Sequence, residues 1–384
     1  MGMITEKTLL RSMFNDRARY LLYPKRLESN LDGISRAFQL KYKNTCIAYS
    51  YKTNYIEYIK SVINVKNCFL EVVSTYEYQS AISSGFMPDR IVYNGVIPAS
   101  DKFFGALNGS VVNIENEVEL DLFLSQAKNA YYRASSIPIG LRVTFPLEDH
   151  EQSRFGFIVG SHEYNKAIET IKNSKNLTLA GLHCHFGSAR QLKYWKEKTT
   201  VMANLAKELK LEYINIGGGM FGPMPQELSD QFSGYVPDYN EYADVVCGIM
   251  KTVFPDESCC LFIEPGTAIV GNVMDVEAVV TCIKTDREIP IIVVNCSSSD
   301  IGFLCDCKDI PITVIKRSDY DNHFIEKGHI YGCTCLEGDV LKKGFTGEIA
   351  VGDKILFHNA GAYSYNCADQ FICPRLPCDL ICEK

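Results

Sequence analysis

Between about residue 45 and residue 270 the chain alternates short apolar runs with amphipathic stretches, and this alternation constrains its fold more than any other feature. The strand-like runs are Thr45–Ser50, Cys68–Val73, Arg90–Tyr93, Val111–Ile114, Ile137–Val143, Leu177–His183, Tyr213–Ile216 and Cys260–Ile263. Helix-like segments such as Glu115–Ala130, Trp195–Leu209 and Tyr239–Val253 separate most of them. Eight such alternations over some 225 residues are the pattern of a (β/α)8 TIM barrel. Periodicity alone does not separate a barrel from an open doubly wound sheet, so the count of eight carries the expectation. After Gly271 the texture becomes β-rich, with runs at Val273–Cys282, Ile291–Val294, Ile312–Ile315 and Lys354–His358. Turns are expected at Glu337-Gly338-Asp339 and Thr346-Gly347. The expected division is a barrel over residues 25–270 and a C-terminal antiparallel β domain, sandwich- or barrel-like, from 271–384 with 1–24.

A chain of 384 residues has room for both parts. Its net charge of −7 argues against a nucleic-acid partner. The apolar stretches, Ile291–Val294 and Cys259–Ile263 among them, are strand-length, so no segment is expected to span a bilayer. Met1–Arg11 lacks the long apolar core of a secretion signal, which points to the cytoplasm. Among sixteen cysteines, Cys46, Cys68, Cys247 and Cys282 sit in apolar runs, as reduced buried thiols do. The Cys305/Cys307 and Cys333/Cys335 pairs and the Cys373, Cys378, Cys382 cluster do not match a paired CxxC pattern, so no structural metal is expected.

Chemistry-bearing residues fall at the strand ends, where barrels place their active sites. The first run ends in Lys52 within Ile47-Ala48-Tyr49-Ser50-Tyr51-Lys52-Thr53-Asn54. Burial there would lower the pKa of the amine and make it nucleophilic, the requirement for a Schiff-base lysine. A strand-end lysine that simply reaches solvent is the bland alternative. His183-Cys184-His185-Phe186-Gly187-Ser188 follows strand six, Gly217-Gly218-Gly219 strand seven, and Glu264-Pro265-Gly266-Thr267 strand eight. Successive glycines leave backbone N–H groups uncovered, and after strand seven they suit a phosphate better than a mere tight turn.

These segments resemble the fold-type III pyridoxal phosphate decarboxylases, the group of diaminopimelate, ornithine, lysine and arginine decarboxylases. The resemblance runs along nearly the whole chain. It covers AYSYKTN around Lys52, EVVSTYE at Glu71–Glu77, SRFGF at Ser153–Phe157 and GLHCHFGS at Gly181–Ser188. It continues through NIGGGMFG at Asn215–Gly222, IEPGT at Ile263–Thr267, GCTCLEGDVL at Gly332–Leu341 and VGDKILFHNAGAYS at Val351–Ser364. It implies an alanine-racemase-like barrel with a C-terminal β domain and pyridoxal 5'-phosphate as cofactor.

By that resemblance Lys52 would hold the cofactor covalently, and His185 would stack on its pyridine ring. Glu264 would pair with the ring nitrogen and keep it protonated, making the ring an electron sink. Ser188, Gly218, Gly219, Gly266 and Tyr363 match the family's phosphate ligands, with Thr267 beside them. Cys335 corresponds to the cysteine that a neighbouring subunit supplies as general acid, which implies an obligate homodimer with sites at its interface. His183, by contrast, is expected to turn to the other face of the strand and pack in the core.

Departures from the family concern the substrate. The EPGR of diaminopimelate decarboxylases reads EPGT here, ending in Thr267, and Asn295–Phe303 carries no arginine. The acidic residue that follows the cysteine in relatives is Leu336, with Glu337 one place later, and a terminal Tyr-Asn is replaced by Phe371-Ile372. Threonine cannot reproduce a bidentate arginine–carboxylate pair, so a distal carboxylate is a poor fit. Glu337 or Asp300 is left to contact a distal amine. The expected substrate is a modified or conjugated diamino acid of siderophore or other secondary metabolism. The alternatives are a diaminopimelate or ornithine/lysine decarboxylase, an amino-acid racemase, and an inactive regulatory homologue. Glu264 and Cys335 argue against the racemase, and the intact set of Lys52, His185, Glu264 and Cys335 against the inactive form.

Overall fold

A computed structural model of the chain describes residues 16–128, 136–302, 308–317 and 323–383. It divides into two compact units: Asn30–Gly222 with Gly234–Ile269, and a second formed by the residues up to Ser29, Pro223–Ser233 and those from Val270 onward.

The first unit is a closed barrel of eight strands among the described residues. They are β1 (Thr45–Ser50), β2 (Phe69–Val72), β3 (Ile91–Tyr93), β4 (Val111–Ile114), β5 (Ile137–Thr144), β6 (Leu177–His183), β7 (Tyr213–Asn215) and β8 (Cys260–Ile263). Each pairs in parallel with the next, and β8 closes on β1 with Phe262 opposite Cys46 and Ile263 opposite Ile47. A two-residue strand, Phe157–Ile158, hangs from β5. All eight strands expected from the sequence are present, within one or two residues at each end.

The side-chain period of two stacks the barrel interior in layers. Ala48, Val92, Tyr213 and Phe262 pack with Ala180 in an apolar layer. Two residues further along β1, β3, β7 and β8 stand Ser50, Asn94, Asn215 and Glu264, and with Glu71 and His183 they make a polar layer above it. Tyr213 fits because β5 and β6 carry glycines opposite it: a Cβ on Gly140 would lie 2.2 Å from its hydroxyl, and one on Gly181 2.3 Å from its Cζ.

Two of the expected helices begin at side-chain caps. The expected helix Glu115–Ala130 begins at Glu117, because Asn116 accepts from the Glu119 N–H as N-cap. Its described part runs to Ala127, and residues 129 and 130 lie outside the described set. Tyr239–Val253 forms as expected, closed by a capping box between Asp238 and Glu241.

The second unit is a sheet around β9 (Met274–Lys284), β10 (Ile291–Val294), β11 (Ile312–Ile315), β12 (His323–Tyr331), β13 (Val340–Ile349) and β14 (Lys354–Phe357). Its pairings are antiparallel except that β10 runs parallel to β12, and Arg19–Leu22 parallel to Cys378–Leu380. The turn expected at Thr346-Gly347 is not one. Gly347 lies inside β13 opposite Ile325, beside a register shift that a glycine in a strand accommodates. Among the described residues no helix is long and apolar enough to cross a membrane. The fourteen described cysteines are free thiols, and Cys305 and Cys307 lie outside the described residues.

Candidate active site

The polar layer at the C-terminal end of the barrel strands is a connected network. Lys52 sits in a single 3-10 turn, Tyr51–Thr53, directly after β1. Its ammonium donates to Ser50 Oγ at 2.8 Å and to Glu71 Oε2 at 2.7 Å. The lysine side chain is 35% exposed while Glu71 is 1% exposed. The expectation of an amine stranded in an apolar setting is therefore corrected: a buried carboxylate one strand away matches the lysine's charge, and its head reaches the barrel mouth.

From Glu71 the network runs inward. Asn94 Nδ2 donates to Glu71 Oε1 at 3.1 Å and to Glu264 Oε1 at 2.7 Å. Asn215 Nδ2 donates to the same Glu264 oxygen at 2.6 Å, and His183 Nε2 lies 3.3 Å from Glu264 Oε2. Asn113 holds Asn94 from below, and Tyr213 holds Asn113, each at 2.8 Å. Burial by itself would raise the Glu264 pKa. His183, by charge and hydrogen bond, and then the charge of Lys52 hold it well below the usual carboxylate range.

The placement of His183 reverses the expectation for it. Residues two apart on a strand share a face, so the end of β6 brings His183 inward, where it meets Glu264 rather than packing in an apolar core. His185, past the strand end, accepts from the Gly218 N–H at its Nδ1, 3.1 Å away, which places the proton of the neutral ring on Nε2. Burial, and after it the charge of Lys52, lowers its pKa well below the ordinary value, so the ring is neutral at physiological pH.

The glycine turn packs tightly against this group. A Cβ on Gly218 would lie 2.3 Å from the Glu264 carbonyl oxygen, and Gly217 and Gly219 take φ of +67° and +87°. Only hydrogen fits at these positions; the Gly217 N–H donates to Asn215 Oδ1 and the Gly218 N–H to His185, which leaves the Gly219 N–H of the turn for an anion. Gly266 is as tightly placed, with a Cβ position 2.2 Å from Thr53 Oγ1. Thr267 opens the short helix Thr267–Val270. Ser188 is exposed, and its hydroxyl meets His150 Nε2 at 2.8 Å. Among the described residues, Thr53 Oγ1 and His183 Nδ1 are buried polar atoms without a partner.

The remaining expected site residues lie in the second unit. Cys335, Leu336 and Glu337 are exposed on the loop between β12 and β13. Asp339 pins that loop, accepting from Thr334 N at 3.0 Å, Thr334 Oγ1 at 2.6 Å and Ser298 N at 2.7 Å. Asp300 is only 7% exposed and accepts from Ser297 N at 2.8 Å in a capping box, so its carboxylate is engaged in holding its own turn. Burial, with the Asp339 charge adding to it, pushes Asp300 up to about 6. Tyr363 takes φ +66° at the N-cap of Ser364–Cys367. Leu336 and Phe371 line a cavity of about 430 Å³ in this unit, together with Ser297–Ser299, Thr334 and Cys367.

Glu71, Asn94, Asn113, Asn215 and Tyr213 were not singled out as site residues from the sequence. Their signal was a polar residue on the inward phase of an otherwise apolar strand.

A parallel barrel that gathers a lysine, a buried glutamate, a neutral histidine and a glycine turn at its strand ends suits an enzyme working through a phosphorylated carbonyl cofactor. Comparison with known proteins narrows the class. Residues 29–271 match the family model described as the pyridoxal-dependent decarboxylase, pyridoxal binding domain. The diaminopimelate decarboxylase of Staphylococcus aureus (strain COL) is 28% identical over 88% of this chain and 81% of its own length. That of Methanothermobacter thermautotrophicus is 25% identical over 95% of this chain and 86% of its own. Among solved structures, diaminopimelate decarboxylase from Helicobacter pylori complexed with L-lysine shares the fold at a TM-score of 0.81 and 21% identity, covering 97% of this chain and 94% of that one. The arginine decarboxylase of Paramecium bursaria Chlorella virus shares it at 0.79 and 18% identity, over 98% and 99%. The chain belongs to the pyridoxal-dependent decarboxylase family, amino-acid carboxy-lyases that use pyridoxal phosphate. Its donor set suits that cofactor: an amine, a buried carboxylate, a neutral imidazole and a turn where no Cβ fits.

Proposed function

We propose that the chain decarboxylates a modified or conjugated diamino acid, releasing the α-carboxylate as CO2 and leaving an amine. When bound, pyridoxal phosphate supplies an electron sink for the pair left behind as CO2 departs. Lys52 would carry the cofactor on its amine, with Glu71 and Ser50 holding that amine at the mouth. Glu264 would keep a proton on the ring nitrogen facing it. The observation that carries this reading is the Glu264 carboxylate, buried and held by three hydrogen-bonding side chains. His185 would cover one face of the ring. The Gly218–Gly219 turn, Ser188, Gly266 and Thr267 would take the phosphate.

The substrate's distal end is argued from chemistry. Thr267 offers no bidentate grip on a carboxylate. Leu336, 57% exposed, presents an apolar surface next to Cys335. The Asp300 carboxylate is occupied by its own cap, which leaves Glu337 as the acidic residue free to meet an amine. Such substrates belong to siderophore and other secondary-metabolite chemistry. A diaminopimelate, ornithine or lysine decarboxylase is the second reading, favoured by the relatives named above. A CO2-release assay over diaminopimelate, ornithine, lysine and amide- or acyl-conjugated diamino acids separates the two. Conjugated acids are expected to be turned over at least tenfold faster, the scale of one unmatched charged contact. Preference for free diaminopimelate would sink the first reading.

We also infer a cytoplasmic homodimer: free thiols suit a reducing compartment, and the resemblance assigns Cys335 to a neighbouring copy's site. Cys335 of one copy would return a proton to the substrate carbon at the Lys52 site of the other. Mixing Lys52→Ala and Cys335→Ala proteins is expected to restore about a quarter of wild-type activity, since random exchange makes half the dimers mixed, each with one intact site. No recovery in mixed dimers demonstrated by mass would place both residues in one chain's site.

A further inference from the structure

Lys198 is fully buried on the helix Leu192–Leu209, and its hydrogen bonds among the described residues go to backbone carbonyls rather than to a carboxylate. Its ammonium lies over the ring of Trp195, 3.4 Å from the centroid. It donates to two backbone carbonyls of the segment that enters the glycine turn, Ile216 O at 2.9 Å and Gly218 O at 3.3 Å. A buried cation is expensive without compensation, and here the compensation is two peptide dipoles and one aromatic face. Burial brings the amine down to about 8, which leaves it mostly charged at neutral pH.

In a trans peptide the C=O and N–H point in opposite directions. Ile216 illustrates the consequence: its carbonyl turns to Lys198 and the following N–H, that of Gly217, donates to Asn215 Oδ1 at 3.0 Å, on the side of the network that holds Glu264. The same rule applied to Gly218 turns the Gly219 N–H away from Lys198, to the cradle side of the turn. We propose that Lys198 is a positioning residue that sets the phosphate selectivity of the glycine turn, orienting the Gly218–Gly219 peptide and placing a positive charge behind it. The inference rests on the reading above that this turn takes the cofactor's phosphate. It is separate from catalysis, since the Lys198 amine faces the backbone of the turn from beneath.

The test compares two probes, pyridoxal 5'-phosphate and its dephosphorylated form pyridoxal, titrated into cofactor-stripped full-length protein. Trp195, the single tryptophan of the chain and itself buried, reports binding by fluorescence and folding by its emission wavelength. In Lys198→Met, which keeps length and loses charge and donors, the affinity for pyridoxal phosphate is expected to fall about tenfold, the scale of losing charge-assisted hydrogen bonds, while that for pyridoxal holds. A folded Lys198→Met protein whose two affinities fall together, or that keeps its preference for the phosphorylated form, overturns the proposal. If Lys198→Met does not fold, Lys198→Gln is read in the same way: a selective loss supports the role, and an unchanged ratio overturns it. A wild-type protein without preference for the phosphorylated probe would overturn the underlying reading of the turn, and so is distinguishable from failure of the Lys198 role alone.

Discussion

Lys52→Ala protein is expected to carry no covalently held cofactor and to show no decarboxylation above background. The argument is positional. Lys52 ends the first barrel strand with its amine at the mouth, oriented by Ser50 and Glu71 on the two nearest strands. Lys198 cannot substitute, because its amine is turned to the carbonyls of Ile216 and Gly218. Borohydride reduction of wild-type protein followed by peptide mass spectrometry should find the phosphopyridoxyl group on Lys52. The same treatment of Lys52→Ala should find none, although Glu264 and His185 would remain to hold the ring noncovalently. A modified peptide from any other part of the chain would remove Lys52 from its assigned role.

Glu264→Gln is expected to bind cofactor and lose turnover by about two orders of magnitude, the size of removing one preorganised electrostatic contact. The network dictates how the amide would lie. Asn94 and Asn215 both donate to Glu264 Oε1, so the glutamine oxygen must occupy that position and its NH2 must face His183 Nε2. The shape is retained and the negative charge is lost, so a ring nitrogen opposite it is no longer held protonated. Cofactor content, read by absorbance, should match wild type while the rate of CO2 release falls. Equal rates in the two proteins would show that the charge of Glu264 does not limit the reaction.

The barrel was legible because each of its strands is a short apolar run isolated between amphipathic stretches, a texture that parallel strands covered by helices must have. The second unit was less so. His323–Tyr331 and Val340–Ile349 pair along most of their length, yet Gly328, Gly344 and Gly347 interrupt them and exposed polar residues alternate with buried ones. Arg19–Leu22 finds its partners more than 250 residues away, which no local pattern announces. At the site, the residues on loops after strands were legible as motifs. Those on the strands themselves were not, because Glu71, Asn94, Asn113 and Asn215 read as exposed positions until the inward phase of all strands is compared. His183 shows the cost of applying that phase to one strand incorrectly: the period of two that was meant to exclude it is what points it at Glu264.

The closure of β8 on β1 bears on how the molecule comes to exist. Lys52 and Glu264 are separated by more than two hundred residues, and the ring that brings them into one network is complete only when Cys260–Ile263 has paired with Thr45–Ser50. During synthesis the first seven strands can emerge and pair, but the chain has no assembled site until the last has entered, and that late, long-range step is where chain entropy weighs most. A cofactor that recognises Lys52 and Glu264 together binds closed rings and not open ones, so its concentration shifts the balance toward closure by mass action. Supply of pyridoxal phosphate would then govern how much of this protein finishes folding, as well as how fast the finished protein works.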